Sequence, residues 1–189
     1  MPDAVLHNLL TRRSIRKYLP RPVPKELLEK IVEAGLYAPS ARGRQPWHFV
    51  VLAGQERLSR LTLALKEAVY RMPENPYKQF VGSPDYTVSY HAPVLILVSA
   101  DPAVTNLAEA DCALALGNMF LAAHALGLGS CWINQLGSAC PDQQFRALIS
   151  ELGVPPQNHI YGCAAIGWPD GPNPAPAPRK SGKVKYLLE

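Results

Sequence analysis

Apolar residues recur at helical spacing near the start of the chain and gather into continuous runs further on, so amphipathic helices should alternate with buried strands. Leu6, Leu9 and Leu10 predict a short first helix, capped by Asp3 and ending near Arg12. Leu27, Leu28, Ile31, Val32 and Leu36 predict a second, with Pro24 at its first helical position and Pro39 as its stop. Residues 47–53 read as a buried strand, and Leu58, Leu61, Leu65 and Val69 place a third helix over residues 56–71. Residues 93–98 are apolar without a break, the pattern of a central strand covered on both faces. Asn106 followed by Glu109 resembles a capping box and Gly127 is a natural stop, which predicts one helix over residues 107–126, about 30 Å long. A short strand then leads from Gly127 to a polar end at Asn134 and Gln135. A helix over residues 141–152 and a strand of small residues over 159–168 complete the pattern.

Two stretches lack periodicity. Residues 73–90 are rich in proline and tyrosine, and a connection this long suggests a cover over a substrate rather than a plain linker. Residues 169–178 carry proline at every second or third position, so they should run extended over about 31 Å. They deliver Arg179, Lys180 and an edge strand at 184–188, an arrangement that suggests an arm exchanged between two subunits. The helix over 107–126 is apolar nearly all round and rich in alanine, which places it in the core and at a subunit interface. Glu109, Asp111, Asn118 and His124 interrupt it and argue against a membrane span. With no second ligand at helical spacing, His124 reads as a satisfied core or interface residue.

Composition narrows the class. The 189 residues suit one domain, 1–189, with 169–189 as its arm, and 48% hydrophobic against 18% charged residues is a globular balance. Lys+Arg 19 against Asp+Glu 15 gives +4, too thin a surplus for nucleic acid and better explained by local anion sites. Cys112, Cys131, Cys140 and Cys163 show no metal-ligand spacing and read as buried or incidental thiols. No basic segment followed by an apolar run opens the chain, so no export signal is expected and the cytoplasm is the expected compartment.

Two segments hold the candidate chemistry. Residues 12–17 pack Arg12, Arg13, Arg16 and Lys17 around Ser14. Like charges this close repel, and an ordered set of them calls for an anion opposite, the alternative being a solvated basic turn. Residues 39–47 form a proline-braced loop carrying Ser40, Arg42, Arg44, Gln45 and Trp47, suited to holding something flat and polar, or else an ordinary connection from helix to strand. No Ser-His-Asp or Cys-His set has support.

Four separated stretches, in order, resemble the FMN-dependent nitroreductase family. They are Arg12 Arg13 Ser14 Ile15 Arg16; Ala38 Pro39 Ser40 Ala41 leading to Gln45 Pro46 Trp47 His48 Phe49; Gly127 Leu128 Gly129 Ser130 Cys131 Trp132 Ile133; and Ala165 Ile166 Gly167 Trp168 Pro169 with Pro178 Arg179 Lys180. The resemblance implies an α+β fold with a mixed, mainly antiparallel sheet flanked by helices, and a homodimer with an exchanged C-terminal arm and two FMN sites at the interface. It implies that Arg12, Arg179 and Lys180 hold the FMN phosphate, and that Ser14 and Arg16 meet the ribityl chain and the N1/C2=O edge. Pro39, Ser40 and Ala41 would come from the other subunit, with Gln45 close by, and Ile133, Asn134 and Gln135 would line the ring near N5. Arg13 and Gly43 belong to the same implied cofactor set.

The implied reaction is ping-pong. NADH or NADPH passes a hydride to flavin N5 and leaves, and a nitroaromatic, quinone or related conjugated acceptor takes its place. Arg16 is then the cation expected beside the charge at N1/C2=O, and Arg42 and Arg44 could steer a phosphorylated nucleotide or an anionic acceptor. Related chemistries of the wider superfamily, reductive dehalogenation and flavin breakdown, stay open, as does a non-catalytic flavin-binding protein. Two departures bear on substrate choice: Gly43 stands between Arg42 and Arg44 where an asparagine is common, and Asn134 Gln135 stands where many members have glycines.

Overall fold

The computed structural model describes residues 3–188. Four strands form an antiparallel sheet in the order β1-β2-β4-β3: β1 (Trp47–Ala53), β2 (Val94–Ala100), β3 (Gly129–Ile133) and β4 (His159–Gly167). Strand β2 is central and buried along its whole length, as its unbroken apolar run predicts. Because side chains alternate across a strand, Leu95 and Leu97 enter one core while Val94, Ile96 and Val98 enter another on the opposite face.

Helices cover both faces. α2 (Lys25–Leu36) and α5 (Ala108–Ala125) pack on one side, with Ile31, Leu116 and Met119 fully buried. α3 (Gln55–Arg71), α6 (Gln135–Ala139) and α7 (Gln143–Glu151) pack on the other, around Leu61, Leu65, Leu136 and Ile149. Residues 73–90 hold a single turn, α4 (Lys78–Val81), and close the second core with Val81 and Val88. α1 (Ala4–Thr11), capped by Asp3 Oδ1 on Val5 N at 3.0 Å, buries none of its residues within this chain. It rests on α5, where Asn8 Nδ2 donates to Leu121 O at 3.0 Å and Thr11 Oγ1 meets His124 Nε2 at 2.9 Å. His124 is therefore satisfied, as its isolation in the sequence implies, and burial with Arg12 nearby pulls its pKa down.

Five expectations are corrected. Asn106 and Glu109 form no capping box; the chain turns into α5 through Thr105 Oγ1, which accepts from Leu107 N at 3.1 Å. Pro24 precedes α2 rather than opening it, and its carbonyl accepts from Leu27 and Leu28. α6 is an unforeseen helix, too short to carry a periodic signal. Strand β1, expected to be buried, lies at the edge of the sheet with only Trp47 and Leu52 buried. Residues 184–188 are exposed and pair with no strand of their own chain among the described residues. Among the described residues no helix is long and apolar enough to cross a membrane, and no group of His, Cys, Asp and Glu could hold a metal ion.

Asp142 ties the second layer together. Its carboxylate caps α7 through Phe145 N at 2.9 Å and accepts from Arg71 Nε at 2.7 Å at the end of α3. The Arg71 hydrogen bond holds the carboxyl down at about 2. Asp142→Ala should lower stability by about 1 kcal/mol in urea unfolding at neutral pH. Since the folded pKa lies below the unfolded one, the difference between wild type and variant should be complete above pH 4 and fade as the pH falls toward 2.

Candidate functional site

The basic segment is laid along the sheet as an irregular extra strand. Ile15 N donates to Ser130 O at 2.9 Å, Ser14 bridges Ser130, and Tyr18 bridges Pro169. Leu19 N donates to Trp168 O at 2.9 Å, and Asp170 N donates to Lys17 O at 3.0 Å, so the arm departs beside the basic residues. Ile15 and Tyr18 are buried and act as pegs, with Tyr18 Oη donating to Ile15 O at 2.6 Å. The intervening Arg16 and Lys17 are thereby turned outward.

The cations divide by role. Arg13 donates through Nη1 to Leu10 O at 2.8 Å and Arg12 O at 2.7 Å, so it closes the carbonyl end of α1 where the helix is electronegative. Its Nε is buried without a partner. Arg12 and Arg16 have no carboxylate within salt-bridge reach among the described residues. Arg16 lies over the Tyr90 ring, 5.8 Å from its centroid, and beside the Cys131 thiol, which burial pushes up while Arg16 and Arg12 pull it down. Tyr90 and His91 take left-handed backbone angles, with φ of 54° and 60°. Arg179 and Lys180 are exposed, and no hydrogen bond or ion pair brings them to Arg12 among the described residues.

The loop after α2 is held by a residue that the sequence reading left without a role. Asp111, buried in the first turn of α5, accepts from Ala41 N through Oδ1 at 3.0 Å, while its Oδ2 is buried and unpartnered. Ser40 Oγ accepts from Gln45 N at 2.9 Å, and Arg44 Nη1 donates to Val104 O. Between these anchors Arg42, Gly43 and Gln45 all have positive φ, of 55°, 66° and 46°. Such angles cost about 1–3 kcal/mol each outside glycine, so the anchors must offset them. Arg42 and Gln45 are left exposed and Arg44 is engaged.

These two groups do not meet within one chain. Asp111 stands near the first end of α5 and His124, beside Arg12, near the last; 13 intervening steps at about 1.5 Å make roughly 20 Å. At the far end of β3, Ile133 is buried, Asn134 is exposed, and Gln135 begins α6 with its Oε1 buried and unpartnered. Asn134 Nδ2 donates to Tyr77 Oη at 3.3 Å, which brings the 73–90 segment to the end of β3. Residue spacing alone marked Asp111 as an interruption in an apolar helix; its partner, 70 positions away, left no signal.

A model of the nitroreductase family matches residues 9–168. The chain resembles a crystal structure of a nitroreductase with bound FMN from Bacteroides fragilis, at 38% identity and a TM-score of 0.93, covering 98% of this chain and 100% of that one. It is 39% identical over 169 residues to a protein of Methanothermobacter thermautotrophicus, covering 87% of this chain and 77% of that one. It is also 29% identical over 179 residues to the NADH dehydrogenase of Thermus thermophilus, covering 85% and 84%.

A side chain at Gly129 would meet Ile15 at 2.8 Å, so only glycine lets the basic segment approach β3. Gly129→Ala should lower stability by about 1–3 kcal/mol in urea unfolding and raise hydrogen exchange at the Ile15 amide.

Proposed function

The chain belongs to the nitroreductase family, and on that premise we propose that it is an FMN-dependent NAD(P)H oxidoreductase, working as a homodimer on nitroaromatic, quinone or related conjugated acceptors. The observation that carries this reading is the pair Arg12 and Arg16, fixed along β3 with no carboxylate among the described residues to neutralise them. Two guanidiniums held in this way suit a phosphate and a ring edge that gains negative charge. The distance along β3 from Ser130 to Asn134 is about 13 Å at 3.3 Å per residue, which separates a phosphate end from a ring end. Gln135 keeps a buried acceptor at the ring end. The residues present therefore fit FMN.

When bound, FMN supplies two-electron chemistry, taking a hydride from NADH or NADPH and returning it to an acceptor. The protein's part is to hold and tune. Arg12 and Ser14 bind the tail of the cofactor, with Arg179 and Lys180 adding charge from the arm. Arg16 offsets negative charge at the ring, and Ile133, Asn134 and Gln135 set the edge where donor and acceptor alternate. Arg13 supports Arg12 by closing α1.

A second copy completes the site. Pro39, Ser40, Ala41, Gly43 and Gln45 lie roughly 20 Å from Arg12 in one chain, and a partner's loop removes that distance. Leu6, Leu9, Leu10 and Leu114 are exposed and apolar, as an uncovered interface would be. The arm has a candidate receiver: among the described residues β1 has an unpaired edge, flanked by an apolar groove of Leu28, Val32, Leu36 and Val51, with Glu33 and the ion pair of Lys25 and Glu29 at its rim. Residues 183–188 of the partner, with Lys183 and Lys185 among apolar positions, match it in apolar pattern.

Anaerobic addition of NADH or NADPH to the desalted, FMN-loaded protein should bleach its flavin bands; a protein that retains no FMN contradicts the reading. Arg16→Ala should weaken FMN binding or slow its reduction by about 10- to 100-fold. Removal of residues 181–189 should shift dimer toward monomer in analytical ultracentrifugation.

A further inference from the structure

Residues 73–77 cross in front of α6 and are fastened to it. Asn75 Nδ2 faces the carbonyl and hydroxyl oxygens of Ser138 at 3.5 Å each, and Asn75 Oδ1 accepts from Tyr77 N at 3.0 Å. The Tyr77 side chain is thereby brought to the end of β3. Trp132 Nε1 donates to Asn134 Oδ1 at 3.5 Å, and Asn134 Nδ2 donates to Tyr77 Oη at 3.3 Å. An indole N–H can only donate, so it fixes which end of the Asn134 amide faces Tyr77. The hydrogen bonds therefore run one way, from Trp132 through Asn134 to Tyr77. The phenolic hydrogen at the end of the chain meets no acceptor among the described residues. Hydrogen bonds in series polarise one another, so Tyr77 is a strengthened donor.

We propose that Tyr77, held and polarised by Asn134 and Trp132, is the recognition residue for the electron acceptor, donating a hydrogen bond to an oxygen of a nitro or carbonyl group on an aromatic ring. The proposal rests on the reading that Asn134 borders the flavin ring. It gives a use to two features that pattern alone leaves idle: the Asn134 departure and the tyrosine-rich cover. It also ranks acceptors. Ligands with an outward oxygen are preferred over apolar ones of the same shape, because only they satisfy the free hydroxyl.

Equilibrium binding tests this without turnover. The oxidised, FMN-loaded protein, with no nucleotide present, is titrated with nitrobenzene and with chlorobenzene, which is similar in shape but lacks the oxygens. Binding is read from the flavin bands and from tryptophan fluorescence. Wild type should prefer nitrobenzene by roughly 3- to 10-fold, and Tyr77→Phe should abolish that preference. Asn134→Asp should abolish it as well with Tyr77 intact, since a carboxylate takes the phenolic hydrogen for itself. The double variant should then lose no more than either single one. A preference that survives Tyr77→Phe overturns the proposal. Failure to retain FMN is a separate outcome, visible in the spectrum before any ligand is added. That outcome overturns the proposed function and this proposal with it, whereas a preference that survives Tyr77→Phe in the FMN-loaded protein overturns the Tyr77 assignment alone.

Discussion

The hydrogen bond from Ile15 N to Ser130 O is the contact on which the site depends. It turns a run of mutually repelling cations into a strand-like segment with a fixed register. With Ile15 and Tyr18 buried, Arg16 and Lys17 between them are left exposed. The arrangement requires a glycine at position 129 and a covered sheet beneath it, which β2 and β4 supply with their two-sided core. Charge alone would have dispersed these side chains into water; backbone pairing keeps them together and leaves Arg12 and Arg16 without an opposing carboxylate among the described residues.

The second constraint is the length of α5. One helix holds both halves of the proposed site, Arg12 near its last turn and the 39–45 loop at its first, and so keeps them apart within one chain. Asp111 does for the loop what Ser130 does for the basic segment. A buried carboxylate on Ala41 N offsets the strain of Arg42 and Gln45, residues that would otherwise leave the left-handed region. A chain built in this way, with apolar leucines exposed on α1 and α5, supports the proposal that a second copy completes the site.

Most of the fold was legible because its elements are long and strongly periodic. The run at 93–98 predicted a strand buried on both faces, and the strand over Trp47–Ala53 has the expected bounds. Legibility failed where structure depends on partners distant in sequence. The five residues of α6 are too few for a period, and the start of α5 uses Thr105 rather than the nearer Asn106. The basic segment stood out by charge, but not the split between Arg13, committed to α1, and Arg12 and Arg16, which meet no carboxylate among the described residues. Asp111 and Tyr77 carried no signal because their partners lie 70 and 57 positions away.

Subunit mixing tests the central claim, that each site draws on two chains. Copies carrying Arg16→Ala lack the cation side, and copies carrying Asp111→Ala misplace the loop, so each homodimer should be nearly inactive. Unfolding and refolding the two together in equal amounts should restore about a quarter of wild-type activity, since half of the dimers are mixed and each has one intact site. If both groups serve a site within their own chain, every site stays defective, and mixing that restores nothing would contradict the account.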